Sequence, residues 1–408
     1  HPDYHEASPA AVESAPQREA AAPRWGDRLQ MTPSQQESIL KPAGWMHYRY
    51  PFIYGQPDTR QFPLATWRSA ANWLHGGVRD PAWVIDHIDQ DVPMLIEQIR
   101  TRVLPKRGIV AAPDEILITL GSQNALYLLT RLLLSSTTRI GVENPCFREA
   151  INTFLLADAE VVPHPVDEEG IVLNERPCDY YYVTPGHQVP TGVTMSSARR
   201  RQLLEHAARH DAVIIEDDYD SESNFTLNPL PALKASDRSG RVVYVSSLSK
   251  ALSPGLRLGF MVADPDLIDE ARALRRLVYR HPPTNIQYQM AHFLAQGHYE
   301  THLRRYHYDS AQRWERLHAA LQRYLPSCRA LAGSEHANAF WLQTPAQINT
   351  QQLTWRAAHA GVLIEPGARH FLSAAPPDNY FRMGFHAINP DAIAQGVEVL
   401  RGQLEQMG

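Results

Sequence analysis

Lys250 is a candidate reactive residue in the stretch YVSSLSKALSPGLRLGF, which runs from Tyr244 to Phe260. It comes at the end of an apolar run, where loss of water disfavours the charged ammonium and lowers its pKa. A neutral lysine amine can form a Schiff base with a carbonyl compound. Arg257 follows seven positions later, beyond a Pro-Gly pair, and its guanidinium suits a phosphate group. Lys250 is therefore either a solvated lysine after a strand or an amine used in covalent chemistry.

The same stretch contains a Ser-x-x-Lys spacing, in which Ser247 could be a nucleophile and Lys250 its base. Serine acyl-enzymes with this motif also carry Ser-Asp-Asn and Lys-Thr-Gly elements. Neither triplet occurs in the sequence. The Schiff-base interpretation is therefore favoured, and Ser247, Ser249 and Arg257 then lie within reach of a phosphate.

Two further stretches place polar residues where β-type runs end. GSQ, Gly121 to Gln123, opens a helical pattern, where free N–H groups favour an anion, although such a turn is more often a simple helix cap. IIEDDYDS, Ile214 to Ser221, places carboxylates and a tyrosine after a buried run. One of these carboxylates is either a solvated strand end or the partner of a protonated cofactor ring nitrogen, as pyridoxal 5'-phosphate (PLP) chemistry requires.

The elements that must position these residues follow from the periodicity of the sequence. From about Glu115, β-type runs such as EILITL and AVIIED alternate with helical patterns such as SQNALYLLTRLLLSS. This alternation predicts an α/β protein with a mainly parallel sheet and helices on both faces. Ligands bind such sheets at the carboxyl ends of the strands.

The domain organisation is predicted from composition. Residues 1–24 are rich in Ala, Pro and Glu and nearly free of large apolar residues, so they are expected to be a disordered linker or tail. A large domain is expected over 25–313, and a smaller α+β C-terminal lobe over 314–408, completed by residues near the N-terminus.

The bulk composition excludes several classes of protein. The chain has 408 residues, 44% of them hydrophobic, and a formal net charge of −5, which gives no field that attracts nucleic acid. No apolar run approaches the ~18 residues of a membrane span. Three cysteines without a CxxC spacing fit a reduced, cytoplasmic protein better than a disulfide framework. We expect neither a membrane segment nor a nucleic-acid module in this chain.

The motifs together resemble the aspartate-aminotransferase superfamily (class I/II), fold type I of the PLP enzymes. Within it, the chain is most similar to the aminotransferase-like domain of MocR/GabR-type bacterial regulators. The resemblance covers about Tyr48 to Gly402 and rests on YPFIYGQPDTRQFP, DEILITLGSQNALYLL, VENPCFREA, YVTPGHQVPTGVTMSSARRRQLLEHA, VIIEDDYDSE, YVSSLSKALSPGLRLGF and NYFRMGF. It implies a sheet of the seven-stranded type, a small C-terminal lobe, a homodimer and PLP as the cofactor.

The resemblance also implies a role for each matching residue. Lys250 would form the internal aldimine and move the proton, Asp217 would pair with the pyridine nitrogen, and Tyr219 would bond the phenolate oxygen. The remaining cofactor contacts would come from Gly121, Ser122, Gln123, Phe147, His187, Gln188, Ser247, Ser249 and Arg257. Arg382 would clamp the carboxylate of an amino acid, and Tyr54 would contact the substrate.

The sequence departs from the family pattern at two places. Related enzymes usually carry Asn before PTG, whereas this position is Val189, preceded by His187 and Gln188, a form that the regulators share. The residue that stacks on the cofactor ring is commonly Tyr or Trp, and here it is Phe147.

Two functions remain open at this point. The first is a PLP-dependent enzyme that acts on an amino acid or amine through an external aldimine and a Cα carbanion. Transamination is its default reaction, and elimination or replacement at Cβ or Cγ would use the same carbanion. The alternative is the effector-sensing domain of a MocR/GabR-type transcriptional regulator without its winged helix-turn-helix.

Overall fold

A computed structural model describes residues 24–39, 41–77, 82–86, 89–174, 176–223, 229–331 and 338–407. The chain divides into two compact units, residues 1–37 and 38–408. In the first unit, residues 24–37 form two short 3-10 turns, Trp25–Asp27 and Pro33–Gln35. The linker expected over 1–24 lies outside the described residues except for Arg24. The second unit holds every predicted site residue.

The described residues form ten α-helices and fourteen β-strands, here numbered in chain order. The helices are α1 Leu64–Gly77, α2 Pro93–Gln98, α3 Ser122–Leu133, α4 Arg148–Leu155, α5 Ser197–Arg209, α6 Pro265–Tyr279, α7 Thr284–Ala295, α8 His298–Tyr324, α9 Thr350–His359 and α10 Ile393–Glu405. The strands are β1 Tyr50–Pro51, β2 Ile116–Thr119, β3 Arg139–Asn144, β4 Glu160–Asp167, β5 Gly170–Ile171, β6 Tyr180–Val183, β7 Val213–Asp218, β8 Val242–Ser247, β9 Gly259–Val262, β10 Arg329–Ala330, β11 Ala339–Gln343, β12 Val362–Leu363, β13 Glu365–Pro366 and β14 Tyr380–Gly384.

The largest sheet confirms the predicted α/β class. Its strand order is β2-β9-β8-β7-β6-β3-β4-β5, and the central neighbours from β8 to β4 pair in parallel. Strand β9 is antiparallel to both of its neighbours. Eight strands replace the expected seven because the chain reverses after Asp167 and adds the two-residue strand β5 at the edge.

The topology brings several strand ends to one edge of this sheet. Because β9 is antiparallel to both β2 and β8, strands β2, β3, β6, β7 and β8 all end on the same side. The strands β7 and β8 are buried almost throughout, since helices cover both faces. GSQ follows β2, and the stretches IIEDDYDS and SSLSK contain the ends of β7 and β8, so the three stretches meet at this edge.

A second, smaller sheet holds the C-terminal part of the site. It has the order β10-β11-β14-β13, with antiparallel neighbours throughout. The N-terminal strand β1 pairs with β12, and Tyr50 and Phe52 pack in the same apolar cluster as the C-terminal helices. The backbone of Gly384 lies so close to residue 53 that a Cβ at position 384 would overlap the Ile53 carbonyl oxygen. This close approach places Tyr54 beside β14.

The boundary expected between residues 313 and 314 falls inside the long helix α8. Tyr299, Leu303 and Tyr306 of this helix pack in one apolar cluster, together with residues of the large sheet. Leu317 and Leu321 pack in another cluster, with α9, α10 and the smaller sheet. The division into two lobes therefore stays a proposal, in which α8 belongs to both.

No helix within the described ranges combines the length and the apolar character that crossing a membrane requires.

Candidate cofactor and ligand site

A cavity of 320 Å³ opens at the edge where the parallel strands end. This volume lies within the range of small-molecule pockets. Twelve of the fourteen residues predicted for the site line it: Tyr54, Gly121, Ser122, Gln123, Phe147, Asp217, Tyr219, Ser247, Ser249, Lys250, Arg257 and Arg382. His187 and Gln188 do not.

Lys250 lies between two tyrosine rings in the middle of the cavity. Its Nζ donates a hydrogen bond to the Tyr54 hydroxyl at 2.7 Å and lies 4.0 Å from the centroid of the Tyr219 ring. Burial lowers the pKa of Lys250 to about 7; the carboxylate of Asp220 opposes the shift and the Arg382 charge adds to it. The lysine therefore has a large fraction of neutral amine near neutral pH, as the sequence predicts for a Schiff-base residue.

Asp217 presents one carboxylate oxygen without a partner. Its Oδ2 accepts a hydrogen bond from the Tyr182 hydroxyl at 2.9 Å, while the buried Oδ1 has no partner in the described part of the chain. Burial raises the pKa of Asp217 to about 7, although the Tyr182 hydrogen bond and the Lys250 charge lower it. A buried acceptor without a donor is costly, so this side chain is arranged for an N–H group that enters the cavity.

The predicted anion-binding residues gather where α3 begins. Arg257 adopts a left-handed backbone conformation (φ 50°), and its Nη2 donates to the Leu120 carbonyl at 3.0 Å. Gly121 has a φ of 82°, and a Cβ at this position would come 2.9 Å from Arg257 Nη2. Ser247 ends β8 and Ser249 follows it, and the Ser249 amide donates to Ser247 Oγ at 3.2 Å. The guanidinium, the hydroxyls and the α3 N-terminus form one anion-binding corner.

The loop after β6 contributes differently from the prediction. His187 is buried away from the cavity, with Nδ1 3.2 Å from Asp220 Oδ2, and its carbonyl accepts a hydrogen bond from the Tyr219 hydroxyl. The Gln188 amide bonds the Pro145 and Val189 carbonyls at 2.7 Å. Both side chains therefore support the loop. The residue of this loop that lines the cavity is Val189. Phe147, directly before α4, lines the cavity as predicted.

Arg382 on β14 forms the far side of the site. Its guanidinium carbon lies 3.5 Å from the centroid of the Tyr54 ring, and Nη1 lies 3.6 Å from Glu365 Oε1. The side chain is buried, yet it makes no hydrogen bond within the described ranges, and its Nε is among the unpartnered buried atoms. A buried guanidinium with free N–H groups is a ready partner for an acidic ligand group.

Several lining residues were missed by sequence reasoning. Lys41, Glu149, Glu365 and His370 line the cavity beside Arg382. They come from segments far apart in the chain, and no motif joins them. Asp220 was within reach of prediction, because it belongs to the acidic stretch after β7, but its bonds to His187 and Asn338 follow only from the structure.

Comparisons with known proteins agree with this geometry. The model of the family "Aminotransferase class I and II" matches residues 89–399. The chain is 39% identical to the HTH-type transcriptional regulator TauR of Rhodobacter capsulatus, over 86% of this chain and 72% of that protein. It is 33% identical to a probable rhizopine catabolism regulatory protein, MocR, of Rhizobium meliloti, with the same coverage.

A solved structure is similar to this chain over nearly its whole length. LysN, an α-aminoadipate aminotransferase from Thermus thermophilus crystallised with N-(5'-phosphopyridoxyl)-L-leucine, has a TM-score of 0.81 and 26% identity. The match covers 95% of this chain and 98% of that one. The family and this phosphopyridoxyl complex imply PLP as the cofactor.

The residues of the cavity fit PLP. The amine of Lys250, the unpartnered Asp217 oxygen and the corner around Arg257 supply the three kinds of group that an aldehyde, a pyridine nitrogen and a phosphate require. With the family model matching most of its length and the site assembled at the strand ends, the chain belongs to the aminotransferase class I and II family of PLP-dependent proteins.

Proposed function

We propose that this chain is a ligand-sensing domain that holds PLP on Lys250 and binds an amine or amino acid with an acidic group. The observation that carries the proposal is the position of Tyr54, which contacts the Lys250 amine through its hydroxyl and the Arg382 guanidinium through its ring. A ligand that reacts at Lys250 therefore has a buried cation close at hand for its acid group.

Each group of lining residues has its own role in this proposal. Lys250 would be the covalent attachment point of PLP, and its amine is the group placed to move a proton beside a bound ligand. Asp217 would hold the pyridine nitrogen through its free Oδ1, and the phosphate would be held by Arg257, Ser122, Gln123, Ser247 and Ser249. PLP, when bound, supplies an electron sink for charge that develops on the ligand. Tyr54 and Tyr219 orient the Lys250 amine and keep water from it.

The sensing role is supported by the regulators among the relatives. TauR and MocR are named as regulators, and each match covers 86% of this chain. In a sensor, the covalent exchange of Lys250 for a ligand amine changes which groups Tyr54 and Arg382 contact. Because these residues belong to different elements, β14 and the segment after β1, exchange can alter their relative position.

Catalytic turnover is the second candidate, and one observation favours it. Lys250 combines a pKa of about 7 with a place beside Asp217 in the cavity, which is the arrangement that a proton-transferring base needs. Transamination is then the default reaction, with elimination or replacement at Cβ or Cγ as variants of the same chemistry.

The visible spectrum of the purified protein with PLP separates these candidates. A screen of amino acids and amines is followed both by the shift of the cofactor band and by analysis of products. A band that shifts on ligand addition without product supports the sensor. Steady formation of a keto acid or an elimination product supports the enzyme, and absence of any band after PLP addition contradicts both.

We also propose that the chain forms a homodimer. Four apolar side chains, Val84, Ile85, Leu277 and Val278, are more than half exposed. The Arg280–Asp86 ion pair, at 2.9 Å, joins the two segments that carry them. Exposed apolar patches of this kind mark protein interfaces. Light scattering should give twice the chain mass of 46.1 kDa, and a single-chain mass would contradict the dimer.

A further inference from the structure

The outer part of the cavity is the part lined by Lys41, Glu149, Glu365, His370 and Arg382. Glu365 is its central carboxylate. Its Oε1 lies 3.0 Å from His370 Nε2 and 3.6 Å from Arg382 Nη1. Burial would raise the pKa of Glu365, but the His370 hydrogen bond and the Arg382 charge outweigh burial and hold the pKa at about 2. Glu365 is therefore a fixed negative charge beside the residue that is expected to receive the acid group of a ligand.

His370 fixes the position of this carboxylate. Its Nδ1 lies 2.9 Å from the Cys146 carbonyl oxygen, and its Nε2 faces the Glu365 carboxylate. The ring is buried, so Glu365 is held between His370 and Arg382.

The outer part of the cavity places two carboxylates beside its basic side chains. The basic side chains are Lys41 and Arg382, and the carboxylates are Glu149 and Glu365. Lys41 stands at the exposed mouth and makes no hydrogen bond or ion pair with a described residue. Glu149 accepts a hydrogen bond from the Ile39 amide at 3.1 Å, and its other oxygen is buried without a partner in the described chain. Arg382 is therefore the buried cation that this part of the cavity offers to an acid group, and Lys41 is the exposed one.

We propose that Glu365 restricts the site to amine ligands that carry a single acid group, an inference that rests on the proposed function. One acid group pairs with the buried Arg382. A second acid group meets only the exposed Lys41, a weak partner, and lies close to Glu365 and Glu149. In a low-dielectric cavity, repulsion between like charges at such distances is large enough to decide which ligand binds.

The test compares L-alanine, β-alanine and L-aspartate, because aspartate combines the acid groups of the two alanines in one molecule. Dissociation constants are measured from the shift of the cofactor band. The dissociation constant of each alanine is divided by that of aspartate, and these ratios are compared between variants. Substitution Glu365→Gln keeps the shape of the side chain and removes its charge. We expect it to improve aspartate binding relative to the better alanine by about tenfold.

A second variant gives a shift in the opposite direction. Lys41→Met removes one exposed cation at the mouth and should disfavour aspartate further relative to the same alanine. The matched control is Glu398→Gln, which removes an exposed carboxylate on α10 that pairs with Arg401 and should leave the ratio unchanged.

The outcomes separate this inference from the function on which it rests. A ratio unchanged in Glu365→Gln, with the cofactor band intact and ligands still binding, overturns the restriction by Glu365. Tighter binding of aspartate than of either alanine to the unaltered protein overturns it as well. If no amine shifts the band of the unaltered protein, the proposed function itself fails.

Discussion

The Lys250 amine donates a hydrogen bond to the Tyr54 hydroxyl at 2.7 Å, and this contact connects the reactive residue to the ligand side of the cavity. Tyr54 is partly buried in the same cavity, and loss of water there raises its pKa well above the ordinary range. The phenol therefore stays neutral and accepts from the lysine while its ring contacts Arg382.

Replacement of Lys250 by alanine should remove the covalent attachment of the cofactor. The variant is expected to bind PLP weakly, if at all, and to lack the visible band of the lysine-bound cofactor. Absorption spectra after desalting check this directly. Lys234→Ala serves as the control, because Lys234 lies outside the cavity and donates to the Val242 carbonyl. An unchanged band in the Lys250 variant would contradict the cofactor assignment.

The rate at which PLP attaches to the cofactor-free protein should depend on pH with a midpoint at about 7. Burial lowers the pKa of Lys250 to about 7, and only the neutral amine reacts with an aldehyde. Below the midpoint the neutral fraction rises about tenfold per pH unit, and above it the rate levels off. Stopped-flow absorbance across this range measures the profile.

An ordinary lysine titrates near pH 10.4, so its rate would still climb at about pH 9. Such a climb would show that Lys250 is solvated in the cofactor-free protein and would contradict the packing described around Tyr54 and Tyr219.

Gly121→Ala should weaken PLP binding by about tenfold, or ~1.4 kcal/mol. An added Cβ would meet the Arg257 guanidinium at 2.9 Å and displace it from the anion-binding corner. The positive φ of Gly121 also penalises alanine. Gly240→Ala is the matched control, because Gly240 has a φ of 71° but open space around its Cβ position. Similar losses of PLP affinity in both variants would contradict the role of the Arg257 contact.

Arg382→Ala should weaken the binding of L-alanine about 100-fold while leaving ethylamine binding nearly unchanged, because loss of a buried charge partner costs roughly 2–5 kcal/mol. The two ligands differ by the carboxylate alone, so their ratio isolates its contact. Arg401→Ala, on the exposed side of α10, is the control. Equal weakening of both ligands would exclude Arg382 as the carboxylate partner. Because Glu365 loses Arg382 as its charge partner, a thermal melt is used to check that the Arg382→Ala variant is folded.

The sequence was sufficient to predict the large sheet and the residues at its edge. The helix expected over PDLIDEARALRRLVY is α6 with the same bounds, and RIGVEN is strand β3. Lys250 and Asp217 could be placed near each other because each stands at the end of a β-type run, and Arg257 follows Lys250 by only seven positions, beyond a Pro-Gly pair. In a parallel sheet such runs end at a common edge, so local pattern and one topological rule are enough.

The outer part of the cavity was decided by the tertiary structure. Lys41, Glu149 and the pair Glu365 and His370 belong to three separate segments, and only the packing of the smaller sheet against the strand ends brings them together. The same holds for His187, whose type suggested a cofactor contact but whose ring turns to Asp220. Periodicity reports which face of an element is buried, whereas the charge balance of a site depends on contacts between elements distant in the chain. For this reason the cofactor could be inferred from local stretches, and the selectivity proposed for Glu365 could not.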